Sequence, residues 1–136
     1  MSEISAADLE REFRNAFQGI VAEDTRYMRG ERFGSLIDRV HAALQLLLAD
    51  YAWDTLLMVL HGGVNRAILS YALTGARTYL GNFQQAPACI NVLDVGTSCV
   101  VRAVNVNAMD AVHARTRATT MEEAYQQYSQ GRHGSQ

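Results

Sequence analysis

The stretch DTLLMVLHGGVNRAILSYALTG, residues 54–75, decides the fold. Its first part, Thr55 to Leu60, is a short apolar run with the length of a strand buried on both faces of a parallel sheet. His61-Gly62-Gly63 interrupts the run. Val64, Ala67, Ile68, Tyr71 and Ala72 then recur at the spacing of one helix face. A buried strand, a glycine turn and an immediate helix form a strand–turn–helix unit. In parallel α/β sheets, ligands bind beyond the carboxyl ends of the strands. His61 stands at that end, beside the N–H groups that the first turn of a helix leaves unpaired. Those groups and the helix dipole favour an anion. The functional reading is an anion site containing a histidine. The plainer reading is a backbone junction that uses glycine for its own sake, with His61 a satisfied loop residue.

The rest of the chain supports one globular domain. Its 136 residues are enough for a real core, and 49% of them are apolar. A net charge of −2 provides no global attraction to nucleic acid or to an acidic membrane. All 12 basic residues are arginine, a planar donor suited to phosphate as well as to ordinary surface pairing. No apolar run approaches the ~20 residues of a membrane span, and no signal peptide is visible. Cys89 and Cys99 lie in apolar surroundings and read as small hydrophobes in a reducing, cytoplasmic compartment. Their spacing matches no zinc pattern, and His41, His61 and His113 show no paired ligand spacing, so no metal or other cofactor is expected.

Upstream of the central unit, Ser5-Ala6-Ala7-Asp8 is a capping-box-like start, with Ile4 and Leu9 placed as a hydrophobic staple. Leu9, Phe13 and Phe17 then share a face, and Gly19 is the expected stop. Glu10–Arg14 belongs to a solvated charged face. Residues 20–30 read as a loop. Residues 31–50 carry the strongest helical pattern, with Phe33, Leu36, Ile37, Val40, Ala43, Leu44, Leu47 and Leu48 on one stripe. His41 borders that stripe as a surface residue.

Downstream, residues 76–83 read as a short helix or turn. Two β-rich runs follow, 89–95 and 98–106, with Gly96-Thr97 between them as a hairpin turn. Hydrophobicity falls beyond Ala108. The expected organisation is therefore an α/β domain over residues 1–110 and a polar tail over 111–136.

GERFGSLIDRVHAALQLLLAD followed by WDTLLMVLHGGVNRAIL resembles the C-terminal half of the histidine phosphatase superfamily, the phosphoglycerate-mutase-like fold. Gly30-Glu31 matches the family's Gly-Glu-Ser helix opening, with Arg32 in the serine position. His61-Gly62-Gly63 and Arg66 match the strand end and following helix, and INVLDVG with VVRAVN fits the closing strands. The resemblance runs over about residues 5–107. It implies a three-layer α/β/α phosphoglycerate-mutase-like sheet, incomplete at the N-terminus. It also implies that His61 is the second catalytic histidine, stabilising charge on a transferring phosphoryl group. The Gly62 N–H would then help bind a phosphoryl oxygen of a small phosphorylated substrate.

The family's nucleophile, an Arg-His-Gly histidine on the first strand, has no counterpart near Met1. Arg132-His133-Gly134 spells the tripeptide in the polar tail, without a preceding strand. Glu3, Asp8, Glu23, Asp24 and Glu31 are available carboxylates, none in the context of the family's proton donor; Glu31 reads as a helix-start residue. Two functions remain. One is the C-terminal part of a phosphatase for small phosphomonoesters, inactive alone for want of the nucleophile. The other is a non-catalytic anion-binding or assembly module. A strand followed by Arg-His-Gly encoded just upstream would separate them. Removing that strand would leave residues 55–60 as an open apolar edge, so a homo-oligomer or a complementary N-terminal fragment is the expected partner.

Overall fold

The structure, a computed structural model, describes residues 5–50 and 52–107. Among these it has three helices, α1 (Ala6–Phe17), α2 (Phe33–Ala49) and α3 (Gly62–Thr74), and two strands, β1 (Ile90–Val95) and β2 (Cys99–Val106). It is a mixed α/β chain. The chain divides into two compact units, Met1–Phe83 and Gln84–Gln136. The expected tail and Arg132-His133-Gly134 lie outside the described residues.

In the first unit, α1 begins as its cap predicts: the Ser5 hydroxyl accepts the Asp8 N–H at 3.1 Å. The helix ends at Phe17, and the chain turns through Gly19 at φ +54°. Phe13 and Phe17 touch with ring centres 4.7 Å apart. Glu31 lies outside α2, which Arg32 caps, and its carboxylate is gripped by Arg39 at 2.9–3.1 Å. On α2 the stripe narrows to Phe33, Ile37, Val40 and Leu44. Ala43 and Leu47 are exposed, because the apolar spacing continues past the surface that the neighbouring elements cover. His41 is half-buried rather than fully at the surface. Its ring lies 4.7 Å from Tyr71 of α3, and its Nε2 is shut off from solvent.

Residues 76–83 form no helix. They return along residues 19–21, with Val21 N–H donating to the Tyr79 carbonyl (2.9 Å) and Gly81 N–H to that of Gly19 (2.8 Å). Gly75 releases α3 into this return through a left-handed C-terminal residue, φ +65°. Arg77 then ties three parts of the unit together, bonding to Glu23, to the Asp38 carboxylate (2.7 and 2.9 Å) and to the Gly34 carbonyl. The Arg77 hydrogen bonds hold the Asp38 carboxyl below its usual range. Tyr79 is almost wholly buried, with its ring 4.7 Å from Phe33.

The expected buried strand at 55–60 differs most. No strand is formed there, and Leu57 and Val59 are 87% and 92% exposed. The apolar composition is that of a central strand, but no described residue pairs with it on either side. A strand's burial depends on neighbours that its own sequence does not contain.

The second unit contains the expected hairpin. β1 and β2 pair antiparallel, with Val95 opposite Cys99, and Gly96 N–H closes the turn on the Ser98 carbonyl at 3.0 Å. The register shifts near Ile90 and Val92. Asn105 sits at φ +57°, its N–H donating to Asn91 Oδ1 and its own Oδ1 accepting the Ala86 N–H. Gln85 and Asn91 exchange amide hydrogen bonds beneath it.

Gly81 shows how closely the return segment in the first unit approaches α1. A Cβ placed there would stand 2.3 Å from the Ala16 carbonyl oxygen. Gly81→Ala should therefore destabilise the protein by roughly 2–3 kcal/mol, since backbone rather than a movable side chain blocks the methyl. Gly19→Ala, which meets open space but keeps a positive φ, should cost only about 1 kcal/mol. Urea unfolding of both variants would check the difference.

Candidate functional site

His61 is the N-cap of α3, with extended backbone (φ −75°, ψ 153°) and no side-chain capping hydrogen bond. Its carbonyl accepts the Asn65 N–H at 3.0 Å, which closes the first turn. The N–H groups of Gly62, Gly63 and Val64 precede that turn and meet no acceptor among the described residues. His61 is exposed, and no acidic residue occupies the first turn to neutralise the positive end of the helix. An exposed imidazole and up to three N–H donors thus share the start of a 13-residue helix. Such a group can bind an anion and stabilise negative charge as it develops.

The glycines here are not imposed by the backbone. Neither Gly62 nor Gly63 has a positive φ. A Cβ at Gly63 would make only an ordinary contact, 3.9 Å from the Tyr79 hydroxyl. The junction itself would accept a side chain at 63.

Behind this surface lies a support whose contacts are distant in the sequence. Arg66 is 4% exposed, donates to the Phe83 carbonyl at 2.7 Å and lies 4.8 Å over the Phe17 ring. It holds the return segment and α1 against α3. Ser70, one turn on and wholly buried, donates to the Arg66 carbonyl (2.6 Å) and accepts the Leu80 N–H (2.8 Å). Gly63, Ala67 and Ser70 give α3 a small-residue face that this segment can approach. Tyr79 reaches Gly63 only through this packing, so no local pattern could have singled it out. Only the 3.6-residue spacing of Gly63, Ala67 and Ser70 hinted that something would press close to that face.

Of the available carboxylates, three are engaged elsewhere, and Glu3 lies outside the described residues. Asp8 bonds Ser5 and Arg11, Glu23 bonds Arg77, and Glu31 bonds Arg39. None of these contacts brings a carboxylate to His61. Among the described residues no group of three or more His, Cys, Asp or Glu side chains could hold a metal ion. A separate cleft of about 310 Å³, lined by residues including Arg14, Gln18 and Thr25, contains no acid or histidine.

Burial raises the Tyr79 hydroxyl from a pKa of 10.0 to about 12, against the partly opposing charge of Arg66. Because the folded value is the higher one, this contribution to stability is complete below pH 10 and is lost as pH rises to 12. The full effect is on the order of 2–3 kcal/mol. Tyrosinate absorbance should show a step near pH 12 that Tyr79→Phe removes, and the variant should lose less stability across that window. Removing the Arg66 guanidinium while keeping apolar bulk, as in Arg66→Met, should cost about 1.5–3 kcal/mol, since the part-buried Phe83 carbonyl loses a charged donor. Chemical denaturation at pH 7 would measure it.

Among the described residues, no helix is long and apolar enough to cross a membrane. Comparison with curated proteins and with solved structures found no match. The model of the histidine phosphatase superfamily (branch 1) matches residues 1–108, which include α1, α2, the His61 junction with α3, and the β1–β2 hairpin. The chain belongs to the histidine phosphatase superfamily, branch 1.

Proposed function

We propose that the chain supplies the phosphate-stabilising half of a histidine phosphatase site acting on small phosphomonoesters. The observation that carries this reading is the exposed His61 at a helix start whose first N–H groups are unoccupied. His61 would donate a hydrogen bond to one phosphoryl oxygen, and the Gly62 N–H to another. In phosphoryl transfer the charge spreads over these oxygens, so fixed donors lower the barrier without forming a bond themselves. Family membership supports the rest of the chemistry. A nucleophilic histidine attacks phosphorus, the ester P–O bond breaks, the alcohol leaves with a proton, and water then hydrolyses the phosphohistidine.

Residues 1–60 contain no Arg-His-Gly, so in this proposal the nucleophile comes from another polypeptide segment. That segment would complete a three-layer α/β/α sheet with residues 55–60 inside it. The chain alone would then bind phosphate without turning over substrate. The same proposal places the chain in a reducing, cytoplasmic setting. A non-catalytic phosphate-binding or assembly module is the second reading, favoured by the same lack of a nucleophile before His61.

Titration of the labelled protein with inorganic phosphate should move the amide resonances of Gly62, Gly63 and Val64, and His61→Ala should weaken the response. Shifts confined to Arg115 and Arg117 would exclude the site. Pure protein should hydrolyse an aryl phosphate negligibly, because electrostatic stabilisation does not replace covalent catalysis. Robust hydrolysis lost in His61→Ala would overturn the claim of inactivity. Its loss in His133→Ala as well would place the nucleophile in the tail.

A further inference from the structure

Arg32 differs from the other arginines of the described residues. Each of those interacts with a carboxylate or a carbonyl oxygen. The Arg32 guanidinium is exposed and has no hydrogen bond or ion pair among the described residues. Its position makes this unfavourable. Arg32 is the N-cap of α2, with extended backbone (φ −73°, ψ 144°) and no side-chain capping hydrogen bond. A short acceptor side chain there would bond one of the first helical N–H groups, whereas arginine offers only donors. Its cation also stands against the positive end of the helix. No acidic residue occupies the first turn of α2, and the neighbouring Glu31 is held by Arg39 at 2.9 Å. A residue that opposes both capping and charge at its own position marks a functional rather than a structural choice.

The start of α2 lies beside the candidate site. Phe33, the residue after Arg32, sets its ring 4.7 Å from that of Tyr79. The Tyr79 hydroxyl is in turn the group that a Cβ at Gly63 would meet, at 3.9 Å. One tyrosine side chain thus spans from the first turn of α2 to the first turn of α3. The α2 start is pinned further by the Phe33 N–H on the Thr25 carbonyl (3.0 Å) and the Gly34 N–H on the Glu23 carbonyl (2.9 Å). All these contacts lie within residues 23–79, so they do not depend on what pairs beside residues 55–60. We infer that Arg32 is a specificity-determining residue of the phosphomonoester site, binding a second anionic group, carboxylate or phosphoryl, on the alcohol part of the substrate. The inference rests on the phosphate reading of His61, where the phosphoryl group to be transferred sits. A guanidinium presents a planar fork of donors that matches either oxyanion. Because Tyr79 separates the two helix starts, the substrate that fits carries its two charged groups several bonds apart, on a short carbon chain.

The test titrates the labelled full chain with propyl phosphate, propane-1,3-diyl bisphosphate and 3-(phosphonooxy)propanoate, following the Gly62 and Gly63 amides. One or both of the two-headed ligands should bind roughly two- to fivefold tighter than propyl phosphate, the range of an exposed ion pair. The larger gain identifies the second group. Arg32→Ser should erase that ratio, and Arg32→Lys should keep part of it. Without ligand, Arg32→Ser should raise the midpoint of urea unfolding, since it adds a cap and removes the cation. Equal binding of all three ligands, or a ratio that survives Arg32→Ser, would overturn the inference and leave the His61 site standing. A lower midpoint for Arg32→Ser would make Arg32 a structural residue and overturn it as well. Absence of any shift at Gly62 and Gly63 with all three ligands would overturn the phosphate reading itself, and this inference with it.

Discussion

The first unit depends on two buried polar groups of α3, the Arg66 guanidinium and the Ser70 hydroxyl. A cation or hydroxyl removed from water is tolerated only where protein atoms replace the lost hydrogen bonds. Both groups therefore fix whatever supplies those atoms. Arg66 takes the Phe83 carbonyl, and Ser70 takes the Leu80 N–H. Between these points lies Gly81, whose bare backbone passes against Ala16. One face of one helix thus determines the course of residues 79–83 and the position of α1. Apolar burial by Ile37, Val40 and Leu69 supplies the driving force but not this alignment, because it has no direction.

That alignment matters for the candidate site because it packs one side of the start of α3 and leaves the other open. Tyr79 packs against Phe33 and reaches toward Gly63, closing the inner side of the helix terminus. On the outer side His61 is exposed and the first amides face no protein acceptor. A set of donors held in place before its ligand arrives is the arrangement electrostatic catalysis requires, since little reorganisation is then needed. The chain's membership of the histidine phosphatase superfamily rests on a match that includes this junction.

The same helix start continues backward into a segment of opposite character. Residues 55–60 are as apolar as the core, yet their side chains and backbone groups face outward. An amide with no protein partner is satisfied by water at the surface, but a bare leucine and valine gain nothing there. An anchored helix thus adjoins an apolar segment that no described residue pairs with.

How much was legible in the sequence follows from the range of the forces involved. Helix α1, its Ser5 cap, helix α2 and the Gly96 turn are local events, set by residues within a few positions of one another, and periodicity and capping chemistry located them. The His61-Gly62-Gly63 junction was legible for the same reason, as a helix start is written in adjacent residues. Burial is not local. The apolar spacing of α2 runs on to Ala43 and Leu47, which the fold leaves exposed, while His41, beside that stripe, is half-buried against Tyr71. Thr55 to Leu60 has a strand's composition, but whether such a run is buried depends on chain that pairs beside it. By itself the sequence determined the local elements and the position of His61. Tertiary structure alone decided that Arg66, Ser70 and Tyr79 form its support, because their partners lie at Phe83, Leu80 and Gly63, ten to seventeen positions along the chain.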